Sequence, residues 1–135
     1  MTILIGLGAA AAPGSLDAGV QGFRSQKGQV MACLTTHPEH FPNCQDDPHA
    51  RRMTVPTRLA ASLNFEGLPS GTYALALIHD ENGNGKLDTM LGIPREGFGF
   101  SNNPAIRFGA PSFKSAGVAI VSGQVDETVK IKYLF

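Results

Sequence analysis

Between residues 59 and 77 apolar side chains recur at every second position: Leu59, Ala61, Leu63 and Phe65, then, after GLPSG, Tyr73, Leu75 and Leu77. Period two puts such residues on one face of an extended chain, so the segment predicts two strands joined as a hairpin. In the second arm Ala74, Ala76 and Ile78 are apolar too, which predicts a central strand covered on both faces. Similar patterns predict strands at Ala18–Phe23 and Gln29–Thr35, joined as a hairpin through RSQKG with Gly28 at positive φ, and an edge strand in RRMTVP ending at Pro56. AGVAIVSG forms a sixth strand. In the seventh, Val129, Ile131, Tyr133 and Phe135 face one way while Thr128, Lys130 and Lys132 face water.

Two stretches lack this period. In Thr36–Ala50, Thr36 with Glu39 three residues on predicts a cap for one helical turn through HPEHFP, which the prolines keep short. From Asp80 to Phe113 there are only Gly, Asn, Pro and isolated Phe, a crossover long enough to need ordering by something other than a strand ladder. Seven strands, turn signals and no convincing helix predict an all-β fold. The expected architecture is a single antiparallel two-sheet Greek-key sandwich, immunoglobulin-like or transthyretin-like, with a long ordered crossover loop.

Composition agrees with that reading and narrows the partners. The 135 residues include 16 Gly and 9 Pro and suit one domain. Lys plus Arg and Asp plus Glu are 11 each, so no basic surface favours nucleic acid or anionic lipid. The apolar start through Ala12 is too short to cross a bilayer and resembles the apolar core and cleavage zone of a secretory signal lacking its basic segment. Residues 1–16 are therefore assigned to a signal-peptide remnant or disordered terminus, and 17–135 to the sandwich. Export to the periplasm or outside follows. Cys33 and Cys44 then form a disulfide across ten intervening residues, the alternative being two buried free thiols.

The chemistry of the chain concentrates in IHDENGNGKLD, residues 78–88. Counted from Asp80, loop positions one, three, five, six and nine are Asp80, Asn82, Asn84, Gly85 and Asp88. From such positions an EF-hand-type loop draws side-chain oxygens, with glycine at six for the sharp turn and a backbone carbonyl, here that of Lys86, at seven. All donors are hard oxygens, which favours Ca²⁺ over Zn²⁺ or Cu²⁺. Position twelve is Leu91 instead of the bidentate Glu, so another group must complete the shell. Glu96 is the nearest downstream carboxylate. The competing reading is a plain Asn-Gly turn whose Asx side chains bond their own backbone.

The run GLPSGTYALALIHDENGNGKLDTMLGIPREGFGFSNNPAIRFGAPSF, residues 67–113, resembles the bacterial domain of unknown function 2141 family, whose pattern reads HDxNxNGKLD…GxPxEGxGFSNN…FGxPSF. The upstream KGQV and HFP segments are similar as well. The resemblance implies an exported β-sandwich and no established activity. Where the pattern has Asn and a further residue after KLDT, this chain has Met90 and Leu91, which weakens the case for a ligand following Asp88.

Other groups offer less. His37, His40 and Cys44 imitate a soft-metal cluster, but a bridge to Cys33 removes the thiolate. His79, beside Asp80, orients the loop or caps the sheet. Ser15, Ser70 and Ser112 lack the surroundings of a nucleophile elbow. Glu81, Asp88 and Glu96 supply carboxylates for glycoside cleavage only if calcium does not occupy them. Phe98 and Phe100 share a strand face followed by Asn102 and Asn103, which forms either a platform for a sugar or peptide or a plug at the open end of the sandwich. The reading is thus an exported calcium-binding module with a binding or envelope-structural role toward an envelope glycan or protein. Its alternatives are a carbohydrate-active envelope enzyme and a metal-free structural domain.

Overall fold

The computed structural model describes residues 12–44, 46–86, 89–90, 93–106 and 109–135. The signal assignment over residues 1–11 lies outside them. β1 (Gly14–Gln21) already includes Gly14–Leu16, so the sheet starts three residues before the boundary read from the sequence.

β1 lies centrally in a three-stranded sheet, antiparallel to β4 (Ser62–Leu68) and parallel to β10 (Gly123–Lys130). The second sheet runs β3 (Arg51–Pro56), β2 (Gln29–Thr35), β5 (Gly71–Asp80) and β8 (Gly97–Phe100), with β9 (Gly117–Ile120) also on β5. A two-stranded ribbon, β6 (Thr89–Met90) with β7 (Ile93–Pro94), a one-turn helix, α1 (Phe113–Ala116), and 3-10 turns at Pro38–His40 and Thr57–Leu59 complete the described elements. The two-sheet all-β sandwich is as predicted, with β3 at an edge and β5 at the centre, but it is not wholly antiparallel, because β1 and β10 run parallel.

Both predicted hairpins are corrected. β1 and β2 lie in different sheets, and so do β4 and β5. The turns after Gln21 and Leu68 carry the chain across the sandwich instead of back along the same sheet. The turn at Pro38–His40 is 3-10, and His37, not Thr36, occupies its cap position without a side-chain bond.

Alternation builds two apolar layers. Leu16, Val30, Leu34, Leu63, Phe65, Leu75, Leu77, Ile120 and Val129 meet between the sheets. The outer layer is built from Ala74 and Ala76 of β5, Cys33 of β2 and Phe98 and Phe100 of β8, to which the segments after β2 and β8 add Cys44 and Ala116, flanked by Phe41 and Phe113. The GFGF of β8 belongs to both layers. A side chain at Gly97 would start 2.4 Å from the Tyr133 ring and one at Gly99 2.8 Å from Val129. The glycines therefore admit the end of the chain on the inner side, and the phenylalanines are sent outward.

Cys33 and Cys44 are bridged, with Cα atoms 5.7 Å apart. The bond pins the 36–50 loop to the outer face of β2. The double variant Cys33→Ala/Cys44→Ala is expected to lose about 2–3 kcal/mol in urea unfolding, and a loss under about 0.5 kcal/mol would show that the loop is held by its packing alone.

Candidate functional site

Strand register decides what surrounds the loop. β5 pairs with β2 so that Asp80 faces Gln29, and with β8 so that His79 faces Gly97. Asp80 and Glu96 are the residues next beyond that last pair. Asp80 is fully buried and Glu96 is 5% exposed. Asp80 Oδ2 accepts hydrogen bonds from Gln29 Nε2 (2.9 Å) and Gly85 N–H (2.8 Å). The carboxyl of Glu96 hydrogen-bonds Asp80 as well. Asp80 Oδ1 is sealed from solvent and has no hydrogen-bond partner among the described residues. Burial disfavours the Asp80 carboxylate, but the bonds from Gln29, Gly85, Glu96 and Asn84 outweigh it and hold its pKa below the usual value.

Two adjacent buried carboxyls are an uncommon arrangement. Like charges opposite each other on a sheet repel, and a carboxyl–carboxyl hydrogen bond exists only while the pair holds a proton. A cation is the other species that relieves the repulsion.

The loop beyond Asp80 is compact. Gly83 N–H bonds Asp80 O, the Asn82 side chain accepts from Asn84 N–H at 3.2 Å, and the Asn84 side chain accepts from Lys86 N–H at 2.9 Å. Asn82, Asn84 and Lys86 are exposed. Asp88 lies outside the described residues. The structure thus brings together Asp80 and Glu96 of the residues singled out in the sequence. No group of three or more His, Cys, Asp or Glu suited to holding a metal is formed among the described residues.

Beneath the loop, His79 is fully buried and both ring nitrogens are engaged. Nε2 stands 2.9 Å from Lys27 O, which can only accept, so Nε2 carries the hydrogen and Tyr133 O–H donates to Nδ1 over 2.7 Å. His79 therefore ties the strand end to the 24–28 turn and to the chain end. Glu81 turns away from Asp80: Arg24 bonds it at 2.6 Å and Ser25 at 2.8 Å, and the Arg24 bond chiefly lowers its pKa. Arg24 also lies over the Tyr133 ring, 4.3 Å from its centre.

The predicted aromatic platform is differently disposed. Phe98 and Phe100 are 7% and 9% exposed and pack in the outer apolar layer. Asn102 and Asn103 both have positive φ and spend their amides on backbone: Asn102 Nδ2 on Gly117 O, Asn103 Nδ2 on Thr128 O, with Lys130 N–H donating to Asn103 Oδ1. Asn103 acts as a one-residue strand beside β10, blunting a sheet edge.

These features fall where a family model, described as an uncharacterized protein conserved in bacteria, DUF2141, matches residues 19–128. The chain belongs to the DUF2141 family. Comparison with curated proteins and with solved structures gives no match. In this DUF2141 chain the HDxNxNG run spans the end of β5 and its loop, and EGxGFSNN supplies Glu96, β8 and the Ser101–Asn103 turn. These two parts of the motif are therefore brought together, with Asp80 against Glu96 where they meet.

The sequence reading missed Gln29, whose bond to Asp80 depends on β2 being its neighbour. It also missed the buried Asp47, which accepts from Thr35 Oγ1 and from His49 N–H.

Proposed function

We propose that this DUF2141 protein is an exported β-sandwich that binds Ca²⁺ at the Asp80 loop and serves as a binding or structural module of the cell envelope, toward a glycan or protein partner. The observation that carries the reading is the Asp80–Glu96 pair: two buried carboxyls in contact, with Asp80 Oδ1 lacking a donor among the described residues. A divalent ion held by both would replace the shared proton, and Asn82, Asn84, Lys86 carbonyl and Asp88 supply further oxygens of the kind calcium takes. The buried disulfide suits an oxidising compartment. Among the described residues no helix is long and apolar enough to cross a membrane.

The pair lends no support to glycoside cleavage. Hydrogen-bonded carboxyls lie closer than the roughly 5–5.5 Å of a retaining enzyme, and these two are sealed from substrate.

An affinity on the order of 10⁻⁴–10⁻³ M would add about 1.4–2.7 kcal/mol in 10 mM calcium, a rise in melting temperature of roughly 4–8 °C over the chelated protein. Asp80→Asn and Glu96→Gln should each abolish the rise. Calorimetry in buffers of different ionisation enthalpy should register proton release on calcium binding. An unchanged melting temperature across that range would defeat the calcium reading.

A further inference from the structure

At the end of the sandwich where Thr35 pairs with Ala74, away from the Asp80 loop, the 36–50 segment and the turn after β4 stand apart. A cleft of about 720 Å³ opens between them, a volume within the roughly 300–1,000 Å³ of small-molecule sites. We propose that this cleft binds an acidic carbohydrate, a sugar unit bearing one carboxylate, with Arg51 as its anchor. The inference rests on the binding role proposed above, to which it gives a ligand class, and not on calcium.

Charge selects the ligand. Arg51 lines the cleft and no Asp or Glu does. The Asp47 side chain is fully enclosed and turned to Thr35, His37 and the His49 N–H, so it stands behind the wall instead of in it. Arg51 donates from Nη1 to Glu66 O and from Nη2 to Gly67 O, 2.8 Å each, which fixes the plane of its guanidinium. Two of its five N–H groups are used in this way, and the others can meet a carboxylate in charge-assisted bonds. Beside it lie the exposed hydroxyls of Thr36 and Ser70 and the exposed ring of His49. One fixed guanidinium among hydroxyl groups matches a single carboxylate on a frame rich in hydroxyls, and not the several charges of a polyphosphate.

Both walls are preformed. On one side the disulfide holds the loop, Asp47 Oδ1 accepts from His49 N–H at 2.9 Å, and Thr35 Oγ1 accepts from His37 N–H at 3.0 Å. On the other, the buried Tyr73 donates its hydroxyl to Pro69 O at 2.7 Å, and Arg51 takes the two carbonyls of the preceding residues. A ligand therefore meets groups that are already ordered, which lowers the cost of binding.

The test is a titration of ¹⁵N-labelled protein, in chelator, with D-glucuronate, D-glucose and sodium acetate, followed by amide chemical shifts. Glucuronate should give saturable shifts at Thr36, His49, Ser70 and Gly71, with affinity at least tenfold above that of glucose, which lacks the carboxylate, and of acetate, which lacks the sugar. Arg51→Gln should weaken glucuronate binding at least tenfold, and Arg58→Gln, an exposed cation beyond the far end of β3, should leave it unchanged. Because Arg51 also braces the turn, the second variant is Ser70→Glu, which adds a negative charge at an exposed position and should weaken binding at least fivefold with the melting temperature unchanged. No saturable shift, shifts gathered at residues 80–86, equal affinity for glucose or acetate, or binding indifferent to both Arg51→Gln and Ser70→Glu would overturn the proposal. The chelator keeps the two readings apart, since the calcium melt reports on the Asp80 loop and these shifts report on the cleft.

Discussion

Gly28→Ala is expected to destabilise the protein by about 4 kcal/mol or more and to disable the Asp80 loop with it. Gly28 has φ +69°, a conformation that strains any residue with a side chain. Its added methyl carbon would start 2.0 Å from Asp80 O and 2.6 Å from Glu81 O, both backbone atoms. The obstruction cannot be relieved by rotating a side chain. Nor can the 27–28 segment withdraw, since Gly28 O accepts from Thr57 N–H and Lys27 O accepts from Thr57 Oγ1 and His79 Nε2. Something must shift, and it is the stretch that aims Asp80. Gly67→Ala is the control: it has φ +64° but nothing within 4 Å of the new atom. Urea unfolding should show a loss near 1 kcal/mol there, from backbone strain alone. Equal losses in the two variants would mean that the contact at Gly28 carries no weight.

Ser101→Ala is expected to cost about 2–4 kcal/mol, large for the removal of one oxygen atom. Along one edge of β5, residues 71–74 pair with β9 and residues 76–79 with β8. Leu75 falls at the junction. Ser101, itself fully buried, fills that position: its hydroxyl accepts from Leu75 N–H at 2.9 Å and donates to Ala116 O, while its own N–H bonds Leu75 O at 3.0 Å. Alanine keeps the last bond and abandons the other two, leaving a buried donor and a buried carbonyl unsatisfied at about 1–3 kcal/mol each. Hydrogen exchange should locate the damage. The Leu75 amide should exchange faster than its neighbours in β5, beyond what the global loss explains. A loss below about 0.5 kcal/mol would mean that water replaces the hydroxyl.

The local signals were legible where they concern a single strand. Gln29–Thr35 and Arg51–Pro56 are strands with the bounds read from their patterns. Pairing was not legible in the same way. Period two tells which residues of a strand are apolar, and in a sandwich both sheets bury their inner faces, so Leu63 and Phe65 look alike whether β4 turns back beside β5 or arches over it. Partner choice depends on residues far along the chain, such as β10, which takes the place beside β1 that β2 was expected to hold. GFGF shows the same limit. Its alternation places both rings on one face, but only the approach of Val129, Ile131 and Tyr133 selects the outer face.

By itself the sequence determined the all-β class, the central place of β5, the cysteine pair and the loop beginning at Asp80, because each follows from residues close together in the chain. The tertiary structure alone decided that Glu96 meets Asp80, that Gln29 flanks it, and that Asp47 stands behind His37. Those contacts join distant segments through strand register and loop docking, and burial then turns two ordinary carboxyls into a pair that needs a proton or a cation between them.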